Sequence, residues 1–560
     1  MGYAQPIDMY EIFNRLKSNP NLFAKIIIAS FFVNLLALAT PIYVIQVLQR
    51  YVAYGVTSTL VTLVVGIIFV TIFEFFFRNI RHRMTRETES ANALLSDKVM
   101  KKIVSIKSSF YLLQKNFRPD IVTKNLNTVQ NTFNATTTLT LIDVPFVLIF
   151  LIALFLIHYQ LGIIASLFIF TPFIILNFYR NKINQLSENS NQLALGTARL
   201  HDNSSSRFET IKYFNLINAV KKSWTSLMSK LIEVSENLDA NKNVFTSFMS
   251  ASATLLTIII IAWGAVLAVD GEISVGALIG ANILAGRAIS PIIRLVQSLE
   301  PIHRSTIAVR DLNRFLSLPE ESQQGSEIKE FEGKLTVKDL QFQYPDTKIP
   351  LFENLNFTIQ QGELVVVTGS NGSGKSTLIK NLIRLLEFNR GQIFYDSIEL
   401  NQLSLTWVRK NLTYMPQEPK FVDGLLLDNL IGLSEIKKDK MEEILDSADL
   451  LDFVNSDPKG IHMPLNNRGE DLPFGIRKRM ALARALAISG QIVALDEPTE
   501  SIDERGKKAI YKLIGNLIKN NKTLIISSQD EEIIAKADLK IDLDKKPVPL
   551  VTDIRKNKIK

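Results

Sequence analysis

The stretch Gly369-Ser370-Asn371-Gly372-Ser373-Gly374-Lys375-Ser376, followed by Thr377, has the spacing Gly-x-x-x-x-Gly-Lys-Ser. It comes after the apolar run Leu364-Val365-Val366-Val367 and before a segment with apolar residues at helical spacing. In a strand–loop–helix setting this is a phosphate-binding loop, whose glycines let successive N–H groups point inward toward phosphate. Lys375 is expected to reach the β- and γ-phosphates, and the Ser376 hydroxyl to bind Mg²⁺. We therefore predict that residues 369–377 bind a nucleoside triphosphate.

The composition of the chain favours a membrane protein. Of its 560 residues 47% are hydrophobic and only 21% are charged, and the length predicts at least two domains. Because there is no cysteine, the sequence excludes a disulfide framework, a thiolate metal site and a cysteine-nucleophile peptidase. The net charge is +8, but the positive residues gather beside apolar runs and form no basic stripe interleaved with aromatics. We therefore expect membrane lipids, and no nucleic acid, as partners.

Six stretches are apolar and long enough to cross a bilayer, which takes roughly 20 residues. They are 22–47, 57–77, 138–158, 160–179, 244–269 and 275–297. Long polar stretches with helical spacing separate the second span from the third and the fourth from the fifth, so helices are expected to extend well beyond the membrane there. The sequence thus predicts a cytoplasmic N-terminal segment over 1–21 and a six-span transmembrane domain over 22–316.

Positive residues flank these spans mainly on one side, and the first link on the opposite side carries only Arg50. Those on the main side are Arg78, Arg81, Arg83 and Arg86 after the second span, Arg180 and Lys182 after the fourth, and Arg294 and Arg304 after the sixth. The link Asp270-Gly271-Glu272 on the opposite side carries no positive residue. By the positive-inside rule, the N-terminus, both helical extensions and the C-terminal half of the chain are expected to be cytoplasmic.

Two charged residues lie inside predicted spans. Asp143, followed by Val144 and Pro145, opens the third span, and Arg287 lies in the sixth, one turn before Pro291. A charge at the bilayer centre costs ~3 kcal/mol or more on insertion scales, so such residues usually face a cavity or a partner. A position beside a water-filled vestibule or an interface is the alternative. We expect the proline to kink its helix.

The C-terminal half has the pattern of a soluble α/β domain. Residues 317–332 are polar without an apolar period and are predicted to be a linker, followed by a nucleotide-binding domain over 333–545 and a basic tail over 546–560. About 120 residues after the phosphate loop, the apolar strand Ile492–Leu495 ends in two carboxylates, Asp496 and Glu497. Asp496 is expected to organise Mg²⁺, and Glu497 to orient and polarise the attacking water.

The order and spacing of these segments resemble the ATPase domain of ABC transporters. The resemblance rests on Tyr344, the phosphate loop, Gln417, Asp496-Glu497 and Ser501-Ile502-Asp503. It implies that the nucleotide is ATP, that Tyr344 stacks on adenine, and that Gln417 joins the γ-phosphate and Mg²⁺ site to the membrane domain. It also implies that Ser501 and Asp503 touch the opposite subunit.

The membrane half resembles the six-span exporters of this family, and most closely the ATPase/permeases of type I protein secretion. The segments Ser108–Tyr111, with Phe110, and Glu209–Lys212 stand where the coupling helices of such exporters are expected, and Ala285–Pro291 looks like that subfamily. The implied fold class is multi-domain: an all-α six-helix transmembrane domain with long cytoplasmic helical extensions, followed by an α/β P-loop ATPase domain of ABC type. The implied setting is the bacterial inner membrane.

That resemblance also implies an unfolded protein substrate, a periplasmic adaptor and an outer-membrane channel. Some relatives carry an N-terminal cysteine peptidase. Here only about 21 residues precede the first span and cysteine is absent, so that activity is not expected.

The sequence departs from the family in two motifs, the signature and the switch histidine. The family signature normally reads Leu-Ser-Gly-Gly-Gln and closes on the γ-phosphate held by the partner subunit, whereas here the aligned residues are Leu472-Pro473-Phe474-Gly475-Ile476, before the helical segment 477–486. Pro473 has neither an N–H nor a hydroxyl group, and Phe474 adds a ring where a glycine backbone would approach closely. Gln529 replaces the switch histidine, so it can hydrogen-bond phosphate but carries no positive charge.

These departures favour one half of an asymmetric heterodimer, whose partner half-transporter has an intact signature, over a slow homodimer. Three functions remain open from the sequence. The first is ATP-driven export of a protein or peptide by type I secretion, and the second is export of a lipid, peptide or drug. The third is an ATP-binding subunit of low activity, which the signature and Gln529 support and the retained Lys375, Asp496 and Glu497 oppose.

Overall fold

The computed structural model of the chain describes residues 20–87, 89–113, 119–345, 347–432, 436 and 438–555. Within these ranges the chain forms two compact units. The helical unit contains 20–104 and 119–318, and the α/β unit contains 105–113 and 319–555. The N-terminal segment predicted over 1–21 lies outside the described residues except for its last two positions, as do the last five positions of the predicted basic tail.

The first half of the chain is almost entirely helical because long apolar runs must satisfy their own backbone hydrogen bonds in a membrane. Its helices are α1 Pro20–Leu36, α2 Ala39–Gln46, α3 Thr57–Glu87, α4 Ser90–Ser105, α5 Ser108–Leu113, α6 Pro119–Thr132, α7 Ala135–Asp143, α8 Val147–Ile157, α9 Tyr159–Ser206, α10 Phe208–Tyr213, α11 Ile217–Val269 and α12 Val275–Leu316. Among the described residues, six helices or helix runs are long and apolar enough to cross a membrane, and they coincide with the six predicted stretches.

Two of the six spans are interrupted at a proline. α1 ends before Pro41, which cannot donate a hydrogen bond to the carbonyl four residues earlier, and α2 continues into a π-helical turn over Val47–Val52. The third span changes from α7 to α8 through a 3₁₀ turn, Val144–Phe146, that contains Pro145. Pro291, by contrast, lies within the continuous helix α12. The sequence marks these prolines but not which of them ends a helix.

Two helices of the helical unit extend far beyond the length of a membrane span. α9 has 48 residues and α11 has 53, which correspond to about 72 and 80 Å at 1.5 Å per residue. They pack along each other and are joined by the short helix α10. This is the arrangement expected for the second extension, and it leaves the aromatic side chains of Tyr213 and Phe214 at the turn 85% and 65% exposed.

A buried ion pair joins α3 to α7, and a side chain of α1 contacts it. Arg81 of α3 donates to a carboxylate oxygen of Asp143 at 2.5 Å, and both residues are less than a tenth exposed. Asn34 of α1 also donates to that oxygen at 3.4 Å, while the Arg81 Nε has no hydrogen-bond partner among the described residues. Asp143 therefore has a charged partner. Arg81, which the sequence analysis counted among the flanking positive residues, is buried in a helix and forms this ion pair.

Replacing Arg81 by Met is expected to destabilise the helical unit, because it leaves the Asp143 carboxylate buried without its counter-charge. Breaking a buried pair from one side costs about 3–5 kcal/mol, whereas removing both charges together costs much less. We therefore expect a lower thermal midpoint in detergent for Arg81→Met and substantial recovery in the double variant Arg81→Met/Asp143→Leu. Arg78→Met is the matched control, because Arg78 pairs with Glu74 at an exposed site. Equal midpoints for Arg81→Met and Arg78→Met would contradict the prediction.

The α/β unit is built around buried strands with helices between them. Its strands are β1 Leu335–Phe342, β2 Phe352–Ile359, β3 Leu364–Thr368, β4 Arg390–Tyr395, β5 Ile398–Glu399, β6 Leu412–Met415, β7 Gly424–Leu425, β8 Pro464–Leu465, β9 Ile492–Asp496, β10 Thr523–Ser527, β11 Leu539–Asp542 and β12 Leu550–Asp553. Its helices, apart from α5, are α13 Lys375–Leu382, α14 Leu405–Asn411, α15 Leu426–Ile431, α16 Lys438–Ser447, α17 Leu451–Ser456, α18 Phe474–Ile488, α19 Glu504–Lys519 and α20 Glu531–Lys536.

The strands of the α/β unit form two main sheets. Six strands have the order β12-β11-β3-β10-β9-β6, parallel except for β12, and four others form the antiparallel sheet β2-β1-β4-β5. β3, β9 and β10 are buried at every position, as expected for central parallel strands covered on both faces. Because β3 and β9 flank β10 in parallel register, the loops after all three strands open at the same edge of the sheet.

The polar segment predicted as a linker packs against the α/β unit. Ser326 donates its N–H to the carbonyl of Gln402 at 2.7 Å and accepts from the N–H of Ser404 at 2.9 Å. The indole of Trp407 donates to the carbonyl of Ile328 at 3.1 Å. Backbone pairing therefore orders this segment, although its polar composition is typical of a loose connection.

Candidate nucleotide site

The phosphate loop joins β3 to α13 in the predicted strand–loop–helix arrangement. Gly369, Gly372 and Gly374 have φ angles of +147°, +83° and +111°, which residues with a side chain rarely adopt. A Cβ atom at position 369 would lie 2.5 Å from the hydroxyl of Ser373, and one at position 374 would lie 2.7 Å from Leu351. Glycine at these two positions is therefore required by both backbone conformation and space.

Lys375 begins α13 and is almost fully buried within the loop. Its ammonium donates to the carbonyl of Gly369 at 2.7 Å and lies 3.2 Å from a carboxylate oxygen of Glu497. The hydroxyl of Ser373 is also buried and has no hydrogen-bond partner among the described residues. A lysine ammonium and an unpaired hydroxyl in a glycine loop at a helix N-terminus are the donors that a phosphate group requires, so the loop fits a nucleotide phosphate.

Tyr344 and Thr377 lie beside the loop and contact each other. The two hydroxyls are 2.8 Å apart, and the Tyr344 ring meets Phe342 edge-on with centroids 4.9 Å apart. Tyr344 remains 38% exposed, so one face of its ring is accessible to a base. Its predicted stacking on adenine stays a prediction.

The two carboxylates at the end of β9 have different environments. Asp496 is 1% exposed and accepts from the hydroxyl of Ser527 at 2.6 Å, and that hydroxyl in turn accepts from the N–H of Glu497 at 2.9 Å. Glu497 has φ +49°, a left-handed conformation that turns the chain away from the strand and toward Lys375. Burial and the nearby Asp496 charge raise the pKa of Tyr414 above its usual range, so that tyrosine stays neutral beside the carboxylate.

Gln417 and Gln529 both lie at this site, but they contact different groups. Gln529 donates to the carbonyl of Gly369 at 2.9 Å, so glutamine at the switch position touches the phosphate loop directly. Gln417 donates to the carboxylate of Glu500 at 2.8 Å. Gln417 is half-buried and Gln529 is exposed, and their predicted roles at the γ-phosphate stay predictions.

The residues predicted to bind Mg²⁺ supply suitable donors. Ser376, Gln417 and Asp496 offer a hydroxyl, an amide carbonyl and a carboxylate, which are the hard oxygen ligands that Mg²⁺ prefers. The ion typically retains several waters and binds through one or two protein groups plus phosphate, so a site without a dense acidic cluster suits it. When bound, Mg²⁺ neutralises charge on the phosphate oxygens.

The signature segment, Leu472–Ile476, lies at the start of α18. Pro473 occupies the N-cap position of α18 without a side-chain hydrogen bond. Apart from the adjoining residues of its own helix, nothing in the described part of the chain lies within 4 Å of the place where a Cβ of Gly475 would be. The ring of Phe474 packs over its own helix, with its centroid 5.5 Å from the ammonium of Lys478. Among the described residues, no hydrogen bond or ion pair joins this segment to the phosphate loop of the same chain.

The predicted dimer loop is tied to the chain's own helices. Asp503 caps α19 by accepting from the N–H of Gly506 and also accepts from Arg479 of α18, both at 3.0 Å, and these contacts lower the pKa of its carboxyl. Ser501 is exposed and has φ +57°. The proposed contact of Ser501 and Asp503 with an opposite subunit stays a prediction.

The two predicted coupling segments form short helices, α5 and α10. α5, which contains the half-buried Phe110, belongs to the α/β unit, where the hydroxyl of Ser108 donates to Glu321 at 2.5 Å. Burial acts to raise the pKa of Glu321, but hydrogen bonds from Ser108 and Arg409 outweigh it and hold that pKa below its usual value. Glu209 lies exposed on α10.

Of the two charged residues predicted inside spans, only Asp143 has a charged partner among the described residues. Arg287 of α12 donates to the hydroxyl of Thr40 at 3.4 Å and is partly exposed. Its role, like that of Asp143 in transport, stays a prediction.

Sequence reasoning missed three residues that shape the site: Ser527, which links Asp496 to Glu497; Glu500, which holds Gln417; and Lys478. Lys478 donates to the backbone carbonyls of Glu497 and Glu500. In the sequence it lies in an Arg-Lys-Arg run, which is typical of a solvated helix face, and only its burial in the structure distinguishes it.

Comparison with known proteins identifies the family. Residues 352–500 match the family model described as ABC transporter, and residues 23–291 match that of the ABC transporter transmembrane region. This chain is an ABC transporter. Its membrane region is fused to its ATPase domain, which confirms the predicted fold class.

Relatives of this ABC transporter are similar along most of its length. It is 26% identical to the exotoxin translocation ATP-binding protein PaxB of Pasteurella aerogenes over 540 residues, which cover 94% of this chain and 74% of PaxB. It is also 26% identical to the alpha-hemolysin translocation ATP-binding protein HlyB of Escherichia coli O157:H7, with 90% and 72% covered. The fold matches that of a bacterial Atm1-family ABC exporter solved with ATP bound, with a TM-score of 0.81, 19% identity and 96% of each chain covered.

These findings give the activity of the ABC transporter in outline. It is a membrane protein with several spans, its ATPase domain binds ATP, and ATP hydrolysis is coupled to transport.

Proposed function

We propose that this ABC transporter is the ATPase and permease of a type I secretion system that exports an unfolded protein across the bacterial inner membrane. The observation that supports this most is the similarity to toxin translocation proteins over 90–94% of the chain, which extends through both the membrane region and the ATPase domain. On this proposal the N-terminus and the ATPase domain are cytoplasmic, and a periplasmic adaptor and an outer-membrane channel complete the path of the substrate.

The chemistry of ATP hydrolysis is assigned to the chain's own residues. The loop amides and Lys375 hold the phosphates, and the carboxylate of Glu497 takes the proton of the attacking water. The ammonium of Lys375 lies 3.2 Å from a carboxylate oxygen of Glu497, so the group assigned to the phosphates and the group assigned to the water stand side by side.

A second half-transporter is part of the proposal. The signature segment makes no hydrogen bond to its own phosphate loop among the described residues, as expected if it acts across a dimer. The exposed aromatic residues at the end of the α9–α11 hairpin, including Tyr213, also suit contact with a second copy or a related subunit. Pro473 and Phe474 weaken each ATP site that this chain's signature closes, which is both sites of a homodimer but one site of a heterodimer. We therefore propose a heterodimer whose partner has an intact signature.

Pro473, Phe474 and Gln529 also support a second candidate function, that of an ATP-binding subunit with low activity. A subunit that binds ATP tightly and hydrolyses it poorly regulates a dimer whose turnover comes from the other site. Lys375 lies 3.2 Å from Glu497, and the hydroxyl of Ser527 donates to Asp496 at 2.6 Å, contacts that support the catalytic subunit, which we favour.

The secreted proteins of the source organism test the export proposal. Deleting the gene is expected to remove one or a few proteins from the medium, and wild-type protein, but not a Glu497→Gln variant produced at equal level, is expected to restore them. Mass spectrometry of the medium measures the secreted proteins, and mass spectrometry of the membranes measures the lipid composition. An unchanged secreted set together with altered lipid composition would contradict protein export and favour a lipid exporter.

A further inference from the structure

Lys478 is a charged residue with no exposed surface. It lies in the second turn of α18, directly after the signature segment, and its ammonium donates to the carbonyl of Glu497 at 2.7 Å and to that of Glu500 at 2.6 Å. Burial lowers its pKa, and the neighbouring carboxylates of Glu500, Glu497 and Asp496 act against that shift. A lysine is seldom fully buried without partners, so these two carbonyls are the contacts that hold it there.

Both carbonyls belong to the turn that carries the carboxylate of Glu497. The turn contains two residues in the left-handed region, Glu497 at φ +49° and Ser501 at φ +57°. Side-chain-bearing residues adopt that conformation only where surrounding contacts hold them in it. Lys478 supplies such contacts at both ends of the segment 497–500, and Glu500 in turn holds Gln417.

The same helix makes two further contacts around this turn. Arg479, the next residue of α18, binds Asp503 at 3.0 Å, just beyond the turn. The ring of Phe474 lies over the ammonium of Lys478 and the guanidinium of Arg477, at 5.5 and 5.4 Å. Thus the helix that follows the altered signature is attached to the segment 497–503 of the same chain by consecutive residues.

We propose that Lys478 is a positioning residue for ATP hydrolysis: it fixes the turn after β9, so that Glu497 points at the water position and Gln417 is held through Glu500. The proposal deepens the ATPase function and rests on it. Lys478 contacts neither nucleotide nor water in this role, and it acts only through the backbone of Glu497 and Glu500. Movement of α18 when a partner engages the signature segment is thereby transmitted to this chain's own Glu497.

The test compares full-length wild-type protein with Lys478→Met and Lys478→Gln variants in nanodiscs. Met fills similar space without donors, whereas the amide of Gln retains two N–H donors for the two carbonyls. Lys508→Met is the matched control, because Lys508 is an exposed lysine of the same unit, on α19. Three quantities are measured: hydrogen exchange of peptides covering 496–503, the dissociation constant for MgATP, and kcat with KM.

For Lys478→Met we expect exchange in 496–503 to be about tenfold faster, since two hydrogen bonds are lost. We expect kcat to fall about 10- to 100-fold, because a small misplacement of a reacting group has that effect, with KM and MgATP affinity within about threefold of wild type. Lys478→Gln is expected to recover part of both changes, and Lys508→Met to match wild type.

Two results would overturn the proposal. One is wild-type exchange in 496–503 for Lys478→Met, and the other is a general loss of protection and of MgATP affinity across the whole α/β unit, which is the result of a purely structural role. If wild-type protein binds MgATP but shows no turnover, that result contradicts the proposed catalytic function of this chain and leaves the Lys478 proposal still to be decided. The exchange comparison between Met and Gln variants then still decides whether Lys478 holds the turn.

Discussion

Protein carrying Glu497→Gln is expected to bind MgATP with wild-type affinity and to hydrolyse it about 10²–10⁴ times more slowly. Glutamine has the shape of glutamate but cannot accept the proton of the attacking water, so the chemical step loses its general base. Binding is retained because the phosphates are held by the loop amides and Lys375. Phosphate release from the purified protein in nanodiscs measures turnover, and equilibrium binding of labelled ATP measures affinity.

The control for this variant is Glu504→Gln, which removes a carboxylate of the same size from an exposed position on α19. It is expected to leave turnover unchanged. Removing the Glu497 charge also takes away a partner of Lys375, which lies 3.2 Å from it, so MgATP affinity is expected to stay equal or to increase slightly. A Glu497→Gln variant with more than about a tenth of wild-type turnover would show that another group activates the water.

The parts of the site that the sequence predicted are those that depend on short-range order. The phosphate loop has three glycines with positive φ and lies between a buried strand and a helix. Its conformation therefore depends almost entirely on eight consecutive residues, and the sequence motif predicts it. Asp496 and Glu497 were predicted from an apolar strand that ends in two carboxylates about 120 residues after the loop. The parallel order β3-β10-β9, which the sequence did not predict, brings them to the same edge of the sheet. The six spans were predicted because length and apolarity alone define them.

The parts that the sequence did not predict depend on contacts between distant residues. Arg81 and Asp143 are 62 positions apart, and the residues around each of them in the sequence do not indicate that the two form an ion pair. Lys478 lies in a basic run that would suit a solvated surface, yet tertiary packing buries it. The segment 317–332 has a polar composition, and hydrogen bonds to distant parts of the chain, such as those near Gln402 and Trp407, order it.

The altered signature and Gln529 are both expected to slow ATP hydrolysis, and the sizes of the two effects can be compared. Replacing Ser and Gly of the family signature by Pro473 and Phe474 removes two donors to the γ-phosphate of the partner's site, and two charge-assisted hydrogen bonds are together worth about 3–6 kcal/mol. Gln529 still contacts the phosphate loop, so the signature is expected to be the larger defect of the two.

Restoring the family residues with Pro473→Ser/Phe474→Gly is therefore expected to raise ATP turnover of the isolated chain about 10²–10⁴-fold. Steady-state phosphate release in nanodiscs measures this, and Pro458→Ser, at an exposed proline of the same unit, is the matched control. A large gain means that the wild-type signature limits turnover and that the natural dimer needs a partner with an intact one. Wild-type turnover at ordinary transporter rates, with less than about a threefold gain on repair, would contradict the heterodimer and leave a homodimer in which Leu472–Ile476 supports hydrolysis as it stands.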